Sequence, residues 1–145
     1  MAQYATVSDL TSIGLPATAL GQMTLTQQND ALEEASREVD ARLTGRYGVG
    51  RLPFITWDSI ITGITARIAV YHILTVRGYN PAAGSDINIQ NRYTIALRDC
   101  ELIQKQQLHP VITLQAMTTT FDQPVVLSSS VVNLQTGAPG VNRGW

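Results

Sequence analysis

The chain has 145 residues, 44% of them apolar, which is enough for one domain with its own hydrophobic core. Only 14% are charged, against a usual ~25%, and the net charge is −1. That balance removes a general electrostatic reason to bind nucleic acid and favours a surface partly covered by partners. A single cysteine, Cys100, excludes an intramolecular disulfide.

Residues 1–25 read as a short arm and a short helix. They lack the basic-then-apolar pattern of a signal peptide. Thr6 or Ser8 caps a turn or two through Asp9, Leu10 and Ile13, which Gly14 and Pro16 end. Thr26 to Gly48 then reads as one long amphipathic helix. Thr26 is the expected N-cap, with Asp30, Glu33 and Glu34 early, where the helix dipole favours carboxylates. Leu32, Ala35 or Ser36, Val39 and Leu43 share one face. Glu33–Arg37 and Glu38–Arg42 are i,i+4 pairs in the favourable order, each giving roughly 0.2–0.5 kcal/mol. Arg42 and Arg46 occupy the last turns, and Gly45 or Gly48 is the stop.

The loop Gly48-Val49-Gly50-Arg51-Leu52-Pro53 leads to a second helix capped by Thr56 or Asp58. Ile60, Ile61, Ile64, Ile68, Tyr71 and Leu74 form a wide apolar face, and Ala66, Ala69, Val70 and Ile73 cover much of the rest. Such a helix is the central one of its domain. Thr62, Thr65, Arg67 and His72 argue against a membrane span. Gly63 is expected to allow close approach of a neighbouring helix. After the break Gly78 to Gly84, a third helix runs from about Ile87 to Gln106. Ile89, Tyr93, Ala96 or Leu97, Cys100 and Ile103 lie on its inner face, with Glu101–Lys105 paired outside. Ile64, Ile68, Tyr71, Val39, Leu43, Tyr93 and Cys100 are expected in one cluster. Pro110 ends the helical part.

Residues 111–145 change character. Asp122 and Arg143 are their only charges, and Thr, Ser, Val, Gln and Gly dominate. Val125-Val126-Leu127 and Val131-Val132-Asn133-Leu134 are strand-like runs joined by three serines. An isolated two-stranded hairpin is marginal in water, so this segment is expected to dock on something. Asn142, Arg143 and Trp145 supply hot-spot residue types at the chain end.

No motif carries chemistry. His72 reads as a core or interface histidine with one hydrogen-bond partner. His109, before Pro110, stands where a histidine caps helix carbonyls. Two separate histidines and one cysteine lack metal-ligand spacing. Cys100, at a helical core position, reads as a small hydrophobe. Asp99 and Glu101 are two apart on a helix and point away from each other. Gly48-Val49-Gly50 follows a helix and is a turn signal, without a phosphate-binding pattern. No catalytic residue, metal or cofactor is expected.

One resemblance adds a function. The stretch A-L-E-E-A-S-R-E-V-D-A-R-L-T-G-R-Y, Ala31 to Tyr47, resembles the Mu-like head–tail adaptor (head-completion or connector) proteins of tailed bacteriophages. Tyr4 to Leu10 fits that family's opening Y-A-T-x-x-D-L, and Asp86, Ile89, Arg92, Tyr93 and Ala96 fit its third-helix pattern. The likeness runs over roughly residues 1–106. It implies a non-enzymatic virion protein in the neck between capsid and tail, assembled in the host cytoplasm. It implies a ring of copies, commonly twelve, beneath the portal protein, which joins the DNA-filled head to a tail or stopper protein. Genomic DNA only passes through the lumen, and no membrane is involved. The alternatives are a stopper or tail-completion protein of the same neck, or a small helical DNA-packaging protein.

The expected fold is therefore mainly α: a small bundle of three main helices plus a short N-terminal helix, with an extended C-terminal tail forming short β segments. Residues 1–110 form the helical adaptor domain and 111–145 the docking tail. Val125, Val126, Leu127, Val131, Val132, Leu134, Asn142, Arg143 and Trp145 are the expected partner-interface residues.

Overall fold

A computed structural model describes residues 2–13, 15, 17–78, 80 and 82–117. Among them are five helices: α1 (Val7–Ser12), α2 (Ala17–Leu20), α3 (Leu25–Tyr47), α4 (Ser59–Arg77) and α5 (Gly84–Gln104). The fold is mainly α with three long helices, as expected. Connections of 11 residues or fewer make α3, α4 and α5 run up, down and up. α4 packs against α3, α5 and α1.

Several boundaries differ from the sequence reading. The N-cap of α3 lies two residues before the expected one. Thr24 is the N-cap: its hydroxyl accepts from the Gln27 N–H at 3.2 Å, and the Gln27 side chain accepts from the Thr24 N–H at 3.0 Å. This reciprocal capping box satisfies two helix-end donors, and Thr26 lacks a Glu or Gln at the needed spacing. The first turn consequently holds no acidic residue. Gly48 ends α3 and Gly78 ends α4, at φ 88° and 106°, where an L side chain is strained. Asp58, and not Thr56, caps α4, accepting from the Ile60 and Ile61 N–H groups at 3.0 and 3.3 Å. α5 starts three residues earlier than expected and stops two earlier.

The core is continuous across all five helices and includes Leu10, Leu20, Leu32, Val39, Leu43, Ile61, Ile64, Ile68, Ala96, Cys100 and Ile103. Of the expected cluster, Val39, Leu43, Ile64, Ile68 and Cys100 are fully buried, with Tyr93 at its rim. Tyr71 is only half-buried and stacks flat on Tyr93, with ring centroids 4.1 Å apart. α4 has the length and apolarity of a membrane span. In the bundle its apolar faces are taken up by α3, α5 and α1, which is the central position its sequence called for. Gly63 is different from expectation: a Cβ there meets nothing within 4 Å, because the residue lines an open groove with Ser59, Arg67 and Asp99.

Beyond α5 the chain turns through Gln106, at φ 61°, and runs back along the loop before α4. Thr56 and Thr113 form an isolated antiparallel bridge. The Ile55 N–H donates to the Thr113 carbonyl at 2.8 Å, and the Thr113 N–H donates to the Thr56 carbonyl at 2.9 Å. Two residues oppose one, the pattern of a bulge. Residues 111–117 thus pack on the helical body. The remainder of the expected tail, 118–145, lies outside the described residues.

Candidate functional site

Tyr4 has the densest set of partners near the N-terminus. Its ring is buried and packs against Phe54 and Trp57, at centroid distances of 5.3 and 4.9 Å. Its N–H donates to Ser36 Oγ at 3.1 Å, and its carbonyl accepts from Trp57 Nε1 at 3.0 Å. Its hydroxyl donates to Asp40 Oδ1 and accepts from the Phe54 N–H at 3.0 Å. Burial, reinforced by Asp40, pushes the phenol far above its ordinary range. One side chain therefore ties the N-terminal arm to α3 and to the loop before α4.

Glu38 organises the junction of the three long helices. Its Oε1 accepts from Arg42 Nε and Nη2 at 3.0 and 2.8 Å and from the Tyr93 hydroxyl at 3.0 Å. Its Oε2 lies 3.1 Å from His72 Nε2. Burial alone raises the Glu38 carboxyl. The hydrogen bonds from Arg42 and Tyr93, with the Arg42 and His72 charges, outweigh it and hold the group below the usual carboxylate range. His72, read from the sequence as a core or interface histidine with one hydrogen-bond partner, has Glu38 as that partner and links α4 to α3. Beside it, Met23, Gln27, Asp30, Ala31, Glu34, Thr75 and Val76 line an open groove of about 270 Å³.

The remaining polar residues are also engaged in structure. The Cys100 thiol is pushed up to about 12, first by burial, so it is not a nucleophile at neutral pH. Asp99 pairs with Arg67 at 3.4 Å, while Glu101 lies 3.9 Å from Lys105, so the two carboxylates do point apart. Glu33–Arg37 and Glu38–Arg42 form at 2.7 and 2.8 Å. Asp86 closes the α4–α5 turn, accepting from the Asn80 N–H at 2.9 Å and from Arg77 Nη2 at 2.7 Å. The Asn80 N–H, against local burial and helped by Arg77, holds its carboxyl below the usual range. The end of α5 is capped by Arg46, which donates to the Ile103 and Leu108 carbonyls, and exposed His109 does not take that role. Among the described residues, no three His, Cys, Asp or Glu side chains are grouped as a metal site would require.

All nine expected interface residues, Val125, Val126, Leu127, Val131, Val132, Leu134, Asn142, Arg143 and Trp145, lie outside the described residues. Sequence reasoning missed the Tyr4 and Glu38 constellations and the return of 111–117. The capping box had a visible signal in Thr24-x-x-Gln27. Apart from the Glu38–Arg42 pair the two hubs had none, because their other partners lie 32 to 55 positions away.

The sequence model described as Bacteriophage Mu, Gp36, matches residues 4–127, so it takes in the Tyr4 arm, all five helices and the first strand-like run. The chain belongs to the bacteriophage Mu Gp36 family. It is therefore a phage structural or assembly protein. The match reaches some twenty residues beyond the likeness read from the sequence. No curated protein and no solved structure gives a significant match to the chain.

Proposed function

We propose that this Gp36-family protein is a head–tail adaptor. Copies form a ring, twelve-fold in the reading favoured here, beneath the portal. The ring joins the DNA-filled head to the tail or stopper, and DNA passes through its lumen. The protein acts without catalysis, in the virion neck, after assembly in the host cytoplasm. The observation that carries this reading is family membership across residues 4–127, the whole helical body and the start of the low-charge tail. Two physical features support it. The titratable side chains nearest the core, Glu38, His72, Asp86 and Cys100, are held in packing or in interhelical bonds. Residues 111–145 carry only Asp122 and Arg143 as charges, which suits a segment covered by a partner.

The test is a nonsense mutation in the gene within the phage that encodes it. DNA-filled heads without tails, beside normal free tails, are the expected product. Complete infectious particles would overturn the reading, and unfilled heads would favour a packaging role instead. A reconstruction of the neck then gives the ring and its copy number.

A further inference from the structure

Two grooves lie on opposite sides of α4. His72 and Val76 line one, Gly63 and Arg67 the other. Gly63 and His72, like Arg67 and Val76, are nine positions apart, about two and a half helical turns, which points them in opposite directions. The first groove, between α3 and α4, is rimmed by Asp30 and Glu34 beside apolar Met23, Ala31 and Val76. Both carboxylates are exposed and make no hydrogen bond or ion pair among the described residues. The second groove runs between α4 and α5, and Arg67 joins its two ends. Arg67 is paired with Asp99, the one carboxylate in that lining. Arg92, near Ile95, bonds among the described residues only to the Ile13 carbonyl, a neutral group. Arg98, about one turn after Ile95, is exposed and has no partner among the described residues. Large apolar side chains are open on both sides, Val76 at 69% and Ile95 at 50% exposure.

Resting on the ring reading above, we infer that these grooves are the two halves of one contact between neighbouring copies of the chain. The Asp30–Glu34 rim of one copy seats against the Arg92–Arg98 edge of the next. Charge complementarity selects this occupant. Rims of opposite sign steer and orient two surfaces, while Met23 and Val76 on one side and Ile13 and Ile95 on the other supply apolar contact. The undescribed residues of the chain carry only Asp122 and Arg143 as charges. One charge of each sign cannot offset two carboxylates on one side and two arginines on the other. A second copy offers both in full. The two surfaces differ and stand on opposite sides of the same helix, so each copy gives one and receives one. Such a head-to-tail contact repeats around a ring and closes it.

A charge exchange tests the contact in the phage with the nonsense mutation, full-length protein being supplied from a plasmid. One variant carries Asp30→Arg and Glu34→Arg, so both its edges are basic. The other carries Arg92→Glu and Arg98→Glu, so both its edges are acidic. Like charges set against each other across an interface exclude pairing, so each variant alone should lower the titre of infectious particles about 100-fold or more. Supplied together they should restore it, because alternating copies then meet with opposite charge at every joint. A chain carrying all four substitutions should also restore it. Thermal melting of the purified variants checks the helical body. Where a double variant melts early, Glu34→Arg and Arg98→Glu are exchanged singly, both at exposed positions. Wild-type titre from either variant alone overturns the inference. So does the absence of rescue from both the mixture and the fully exchanged chain. Rescue of the Asp30→Arg, Glu34→Arg variant by Arg143→Glu in place of the Arg92 and Arg98 changes also overturns it, and makes the chain's own end the occupant. A neck reconstruction with a ring joined through other faces removes this contact and leaves the adaptor reading standing, whereas a neck without the ring removes both.

Discussion

Tyr4 shows how much one residue outside any helix can hold. Its hydroxyl serves the buried Phe54 N–H and Asp40 together, so Tyr4→Phe preserves the ring stack but leaves Phe54 without an acceptor. An unsatisfied buried donor costs about 1–3 kcal/mol. Thermal unfolding of the variant should show a loss in that range, and an unchanged midpoint would mean that the hydroxyl contributes nothing. Glu38 makes the second prediction, in pH. Its folded pKa is depressed from about 4.5. A depressed carboxylate contributes stability that is complete above the unfolded value and is lost as pH falls through the folded one. Glu38→Gln should therefore be less stable than wild type at pH 7, and the gap should narrow below about pH 4.5. Urea midpoints from pH 7 to 3 check this. Asp40 works in the opposite sense. Burial raises its pKa despite the Tyr4 hydrogen bond, so its share of stability grows as pH falls through the raised value. Only the variant comparison separates the two slopes.

At the scale of elements, α4 is the helix on which the others depend. Ile68 is fully buried at its centre, so Ile68→Ala should cost about 2–5 kcal/mol in urea unfolding. A loss below about half a kcal/mol would mean that the helix faces another way. Asp58 has a double task at the start of α4. Oδ1 caps the helix, and Oδ2 accepts from the Val111 N–H at 2.8 Å. Asp58→Ala should thus cost about 1–2 kcal/mol and also loosen the returning segment. Hydrogen exchange should quicken at Val111 and its neighbours as well as in the first turn of α4. Faster exchange in α4 alone would show that the second bond is idle.

On the scale of the whole molecule, the helical body and the chain end are expected to divide the work. The body is closed by its own core, whereas Asn142, Arg143 and Trp145 lie outside the described residues. Deleting residues 140–145 should leave the circular dichroism of the helices intact while weakening attachment to portal rings. Unchanged affinity of the truncated protein for portals would remove Arg143 and Trp145 as anchors. Burial of such residue types at an interface supplies about 2 kcal/mol or more each, so the effect is large enough to measure.

The three long helices, the central place of α4 and most of the core were legible in the residue pattern before any contact was known. These follow from periodicity, which is local: Leu32, Val39 and Leu43, or Ile61, Ile64 and Ile68, recur at helical spacing whatever they later touch. The i,i+4 pairs Glu33–Arg37 and Glu38–Arg42 were legible for the same reason. Only the tertiary structure decided that Tyr4 reaches Ser36, Asp40 and Phe54, and that Glu38 gathers His72 and Tyr93. It also decided that residue 113 returns to residue 56. Each of these contacts joins positions more than thirty residues apart. No spacing rule encodes such partners, because they are chosen by which helix faces meet once the core has closed.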